Sequence, residues 1–183
     1  MGWKGKDPYE GERPEATLGA SFSQRLAVWL GTGMGLGLLA GKCAPGTVGS
    51  LPGVLLACAF AAWLPMWAQG GLCLALALLA VPICTHAERA LKKKDDGRIS
   101  ADEWMLYPIA TLGLPLCEHP WLLIPATFVV IRVLDILKLP PARQVQYLPE
   151  GWGIVADDFI SQLYALAVNW GLWWAWLRWG LQP

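Results

Sequence analysis

Charge is what this 183-residue chain has least of: Asp, Glu, Lys and Arg make up 15% of it, against roughly 25% in ordinary soluble domains. The charges that remain cancel to a net of zero, which excludes a nucleic-acid partner recruited by bulk electrostatics. Histidine is almost missing, with only His86 and His119, and lone histidines of this kind read as structural groups. The five cysteines show neither zinc spacing nor a disulfide framework, and Cys58, Cys73, Cys84 and Cys117 sit in apolar runs, where a thiol behaves as a small hydrophobe. Alternating strand-like stretches are scarce. Two phosphatase signatures are absent as well: four residues, not five, separate Cys84 from Arg89, and no Asp-x-Asp nucleophile pair occurs.

What the chain has instead is apolar material. Hydrophobic residues make up 55% of it, mean hydropathy is +0.41, and twelve tryptophans suit a membrane–water interface. Residues 1–24 are polar, do not read as a signal peptide, and form an expected surface or flexible arm ahead of a helical membrane domain over 25–183. The stretch Arg25–Gly41 is apolar but glycine-rich and makes a poor straight spanning helix. Apolar runs follow at Leu51–Trp67, Gly71–Cys84, Trp104–Cys117, Trp121–Leu137 and Phe159–Leu177; the third, broken by Pro108 and Pro115, is re-entrant or buried in the bundle. Placing the turns near 68 and 119 on one side leaves Arg178 as the one cation of fourteen not on the other. By the positive-inside rule that other side is cytoplasmic. The expected architecture is an all-α, membrane-embedded helical bundle whose polar loops gather at the cytoplasmic face.

Four polar blocks interrupt this pattern. Asp95-Asp96-Gly97-Arg98-Ile99-Ser100-Ala101-Asp102-Glu103 places four carboxylates between apolar runs, where acids need a cation to face. Hard oxygen ligands of this kind suit Mg²⁺ held against a phosphate. Ser100 and Glu103 also fit a capping box, which explains Glu103 but neither Asp95 nor Asp102. Gly41 to Ser50 is rich in small residues; its backbone amides and the hydroxyls of Thr47 and Ser50 could meet an anion, although Ser50 and Pro52 equally suit plain helix capping. Arg132, Asp135 and Lys138 share a helix face by their three-residue spacing, either as functional groups or as an internal Arg132–Asp135 lock. Asp157 and Asp158 open the final apolar run after an expected glycine turn, Gly151-Trp152-Gly153; they are metal ligands or first-turn acids complementing the helix dipole.

Taken in order and at these intervals, Ala44–Ser50, Asp95–Glu103, Arg132–Lys138 and Gly151–Asp158 resemble the phosphatidylglycerophosphatase A family. The resemblance covers about residues 26–175, and it departs where a usual glycine is Leu106 and a usual proline is Leu139. It implies an all-helical, multi-pass protein of the bacterial inner membrane, active on its cytoplasmic side. The implied reaction is Mg²⁺-dependent hydrolysis of the phospholipid phosphatidylglycerophosphate to phosphatidylglycerol and inorganic phosphate. It also implies a site made of Pro45, Gly46, Thr47, Gly49 and Ser50 around the phosphate and of Asp95, Asp102, Glu103, Arg132, Asp135 and Lys138 as catalytic groups. Asp102, Glu103, Asp157 and Asp158 are then the expected metal ligands. The competing expectation is a small membrane ion carrier or channel with a buried charge cluster.

Overall fold

The structure is a computed structural model that describes residues 22–36, 45–94 and 96–180, with nothing stated for the side chains of Pro45 and Gly46. Eight helices and no strand are found among the described residues: α1 (Phe22–Gly31), α2 (Pro45–Gly49), α3 (Leu51–Trp63), α4 (Met66–Leu91), α5 (Ala101–Ala110), α6 (Pro120–Leu137), α7 (Ala142–Val145) and α8 (Glu150–Trp179). The glycine-rich stretch after α1 behaves as its composition suggests. Gly33, Met34 and Gly35 all take positive φ and stop the helix after ten residues.

The bundle is organised around a ten-residue helix, α5. α5 packs against α3, α4 and α8, and of its ten residues only Trp104 and Glu103 are not buried. Its C-terminal half is closed by Pro108 and by a turn through Gly113. The third apolar run is therefore a buried helix of about 15 Å, too short to cross a bilayer. Glycine permits this enclosure. A Cβ on Gly53 of α3 would stand 2.6 Å from that of Tyr107, and one on Gly151 of α8 would strike the Val81 carbonyl of α4. Leu106, which replaces the usual family glycine, is fully buried.

Two sequence expectations are corrected here. Gly151-Trp152-Gly153 is not a turn: α8 already begins at Glu150, and both glycines are helical positions in close contact with other backbone. Asp157 and Asp158 consequently lie two turns inside α8, so they are not first-turn acids, a place taken by Glu150.

α4 and α6 are long and apolar enough to cross a membrane, and only 28% and 17% of their most apolar windows are buried inside the molecule. Their leucine, valine and tryptophan side chains point outward instead, as at Leu74, Leu78, Trp121 and Val129. Core helices of a water-soluble domain would bury such faces. Three more exposed tryptophans, Trp174, Trp176 and Trp179, close the far end of α8.

Candidate active site

Ser50, at the start of α3, does not cap its own helix with its side chain. Its hydroxyl donates to Glu103 Oε2 at 2.6 Å, joining α3 to the first turn of α5. The same carboxylate oxygen receives Arg132 Nη1 at 3.0 Å, and that guanidinium also reaches Asp135 Oδ2 at 3.0 Å, one turn further along α6. The Arg132–Asp135 lock thus exists, but as half of a bridge that also takes in Glu103. The capping box does not form: Ser100 makes no side-chain cap, and its backbone N–H donates to the Gly31 carbonyl. Glu103 is spent on Ser50 and Arg132.

The last turn of α6 brings the second cation. Lys138 ends that helix with φ of 43°, and its ammonium pairs with Asp157 Oδ2 on α8. Asp157 Oδ1 in turn accepts the backbone N–H of Asp158. Asp158 is 3% exposed and lies within Coulombic reach of Asp135, Asp102 and Asp157. Its Oδ2 is buried with no hydrogen-bond partner among the described residues. Burial also lifts the Glu103 carboxyl above the usual carboxylate range and Asp135 adds to the rise, while Arg132 and the hydrogen bonds work against it.

Of the residues singled out from sequence, Ser50, Asp102, Glu103, Arg132, Asp135, Lys138, Asp157 and Asp158 therefore meet at one end of the bundle, from α3, α5, α6 and α8. Gly49 adjoins them: a Cβ there would fall 2.5 Å from the Ser100 hydroxyl. Thr47 is half-buried on α2. Pro45 and Gly46 are placed by their backbone only, and Asp95 lies outside the described residues. No three His, Cys, Asp or Glu side chains among the described residues stand ready as a metal-ligand group, and Arg132 and Lys138 occupy oxygens of Glu103, Asp135 and Asp157. The donor chemistry nonetheless fits a hard divalent cation: every candidate ligand is a carboxylate, and one buried carboxylate oxygen is unsatisfied.

Sequence reading missed a neighbouring set. Glu88 on α4 and Lys94 form a buried ion pair at 3.4 Å, Lys94 also donates to the Glu150 carbonyl at 3.1 Å, and Arg89 pairs with the Glu150 carboxylate. Asp96 receives Arg98 through both oxygens. Burial raises the Asp96 carboxyl, but the Arg98 hydrogen bonds and charge outweigh it and hold the group below its usual value. Gln162, one turn after Asp158, is buried, and its Oε1 has no hydrogen-bond partner among the described residues; the i, i+4 spacing from Asp158 was the available signal.

A family model described as phosphatidylglycerophosphatase A matches residues 29–173. The chain belongs to the phosphatidylglycerophosphatase A family. The family match takes in every candidate site residue from Pro45 to Asp158. Among relatives, a Haemophilus influenzae protein named phosphatidylglycerophosphatase A is 33% identical over 143 residues, 76% of this chain and 83% of its own. A protein of the same name from Escherichia coli is 29% identical over 155 residues, 78% of this chain and 84% of its own. A Bacteroides thetaiotaomicron protein named "Putative phosphatidylinositol-3-phosphatase" is 29% identical over 143 residues, 76% of this chain and 89% of its own. No solved structure matches the chain.

Proposed function

We propose that this protein hydrolyses the terminal phosphomonoester of phosphatidylglycerophosphate, giving phosphatidylglycerol and inorganic phosphate, and that it does so with Mg²⁺ at the inner face of a bacterial cytoplasmic membrane. The observation that carries the reading is the meeting of Asp102, Glu103, Asp135, Asp157 and Asp158 from three helices around Arg132 and Lys138. The relatives' names supply the lipid.

Asp102, Glu103, Asp157 and Asp158 would hold the ion, with Asp135 beside them. When bound, Mg²⁺ supplies Lewis-acid polarisation of a phosphate oxygen and lowers the pKa of an attached water. The chain's own residues do the rest. Arg132 and Lys138 neutralise charge that grows on the phosphoryl oxygens. Ser50 orients Glu103 and presents its oxygen to the same guanidinium, 3.5 Å away. Asp157, fixed by Lys138 and by the Asp158 backbone, keeps the start of α8 in register with the end of α6. With α4 and α6 crossing the bilayer, acyl chains stay in lipid while the head group meets the charges.

Purified protein in detergent should release phosphate from phosphatidylglycerophosphate when Mg²⁺ is present and stop when it is chelated. Unchanged turnover in chelator sinks the metal assignment. Faster release from phosphatidylinositol 3-phosphate transfers the lipid assignment to the other relative's substrate. An ion carrier would need polar groups continuing down the bundle; on α8 the next buried polar group beyond Gln162 is Asn169, whose amide is taken by the Ala110 carbonyl at 2.9 Å.

A further inference from the structure

On the outer side of α3 and α6 runs a groove of about 520 Å³, within the ~300–1,000 Å³ of ordinary small-molecule sites. Leu51 and Val54 form one wall and Trp121, Ile124, Phe128 and Val129 the other, and no charged side chain lines it. Two neighbour relations along the chain tie this groove to the site. Leu51 directly follows Ser50, and Phe128 lies one turn before Arg132 on the same face of α6. At 1.5 Å rise per residue, the wall from Phe128 back to Trp121 covers about 6 to about 16 Å from Arg132 along the helix axis.

The geometry points to this groove as the seat of one acyl chain of the lipid whose phosphate meets Ser50 and Arg132, an assignment that rests on the substrate reading above. An amphiphile anchored by its terminal phosphate at Arg132 must run its bridging glycerol, phosphodiester and second glycerol back past the α6 turn between Arg132 and Phe128 and its hydrocarbon beyond. That is where the apolar wall stands. The groove's adjacency to Ser50 and Arg132 favours this occupant over a helix from another chain, which has no reason to begin at a phosphate. Val54 and Phe128 also pack against the buried cluster containing Tyr107, so the floor of the groove is fixed by the α5 core and does not collapse when empty.

The assignment makes chain length a property of the groove. Phosphate release would be measured with dipalmitoyl and dihexanoyl phosphatidylglycerophosphate for the wild type, for Ile124→Trp and Val129→Trp inside the groove, and for Leu78→Trp on the exposed face of α4, remote from it. Either groove tryptophan should raise KM for the dipalmitoyl lipid about tenfold at unchanged kcat, as expected when binding shared by ground and transition states is lost. The dihexanoyl lipid, with far less hydrocarbon to bury in the groove, should be affected much less, and Leu78→Trp should alter neither. Equal KM changes for both lipids, or none for either, overturn the acyl-chain assignment while leaving the substrate reading intact. A groove tryptophan that instead changes the oligomeric size in detergent assigns the groove to a second copy and overturns it too. A wild type that hydrolyses neither lipid overturns the substrate reading itself, and this inference with it.

Discussion

Two charged clusters sit side by side at one end of the bundle, and they are built on opposite rules. In the first, Glu88 faces Lys94, Arg89 faces Glu150 and Asp96 faces Arg98, each acid with its own base. In the second, the five carboxylates of Asp102, Glu103, Asp135, Asp157 and Asp158 gather around Arg132 and Lys138 alone among the groups named here. A balanced cluster holds a fold together. An acidic excess buried to 3% exposure at Asp158 weakens the fold unless something positive arrives. The first cluster fastens Lys94 and the start of α8 to α4.

The sharpest way to break the comparison is Asp158→Asn. It should cut phosphate release on the order of a thousandfold and, in metal-free protein, raise the melting temperature, because a carboxyl that burial and its acidic neighbours Asp135, Asp102 and Asp157 disfavour is gone. A lower melting temperature would show that the carboxylates do not repel one another. Arg132→Lys comes next: a single ammonium cannot reproduce a guanidinium that touches Glu103 and Asp135 together, and a loss of about a hundredfold in kcat is expected. In the balanced cluster the readout moves from rate to stability. Lys94→Met leaves Glu88 buried without its cation and should cost about 3–5 kcal/mol in denaturant unfolding, whereas adding Glu88→Gln should restore most of it. If the double variant is as unstable as the single, the pair is not the unit.

The smallest effect belongs to Asp96→Asn. Its partner Arg98 is 40% exposed, so solvent screening limits the pair to about 1 kcal/mol or less. Because the Asp96 carboxyl is held below its usual value, the stabilisation is complete above the unfolded-state value and is lost as pH falls through the folded one. The stability gap between wild type and variant should therefore be open at neutral pH and close below about pH 4.

Much of the site was legible because its chemistry is carried by residue type. Asp102-Glu103, Arg132, Asp135 and Asp157-Asp158 are costly side chains in apolar surroundings, and spacing alone placed Arg132 and Asp135 on one face. The misreadings share one cause. Gly151-Trp152-Gly153 has turn composition, yet the glycines are there because α8 presses on α4 at Val81 and Thr85; Ser100-x-x-Glu103 has the spacing of a cap, yet Glu103 is claimed from 53 residues away by Ser50. The Lys94–Glu150 contact bridges 56 residues. Local sequence carries no trace of these competitors.

The enclosure of α5 has a consequence for biosynthesis. Its ten residues carry two acids and span too little hydrocarbon to enter a bilayer unaided, and one of the walls they lean on, α8, is the last helix of the described chain to leave the ribosome. Until that helix is in place, Asp102 and Glu103 have no Asp157 or Asp158 to meet. A nascent chain stalled before residue 150 would hold α4, α5 and α6 and still lack the α8 half of the site, so the order of translation itself keeps the unfinished protein silent.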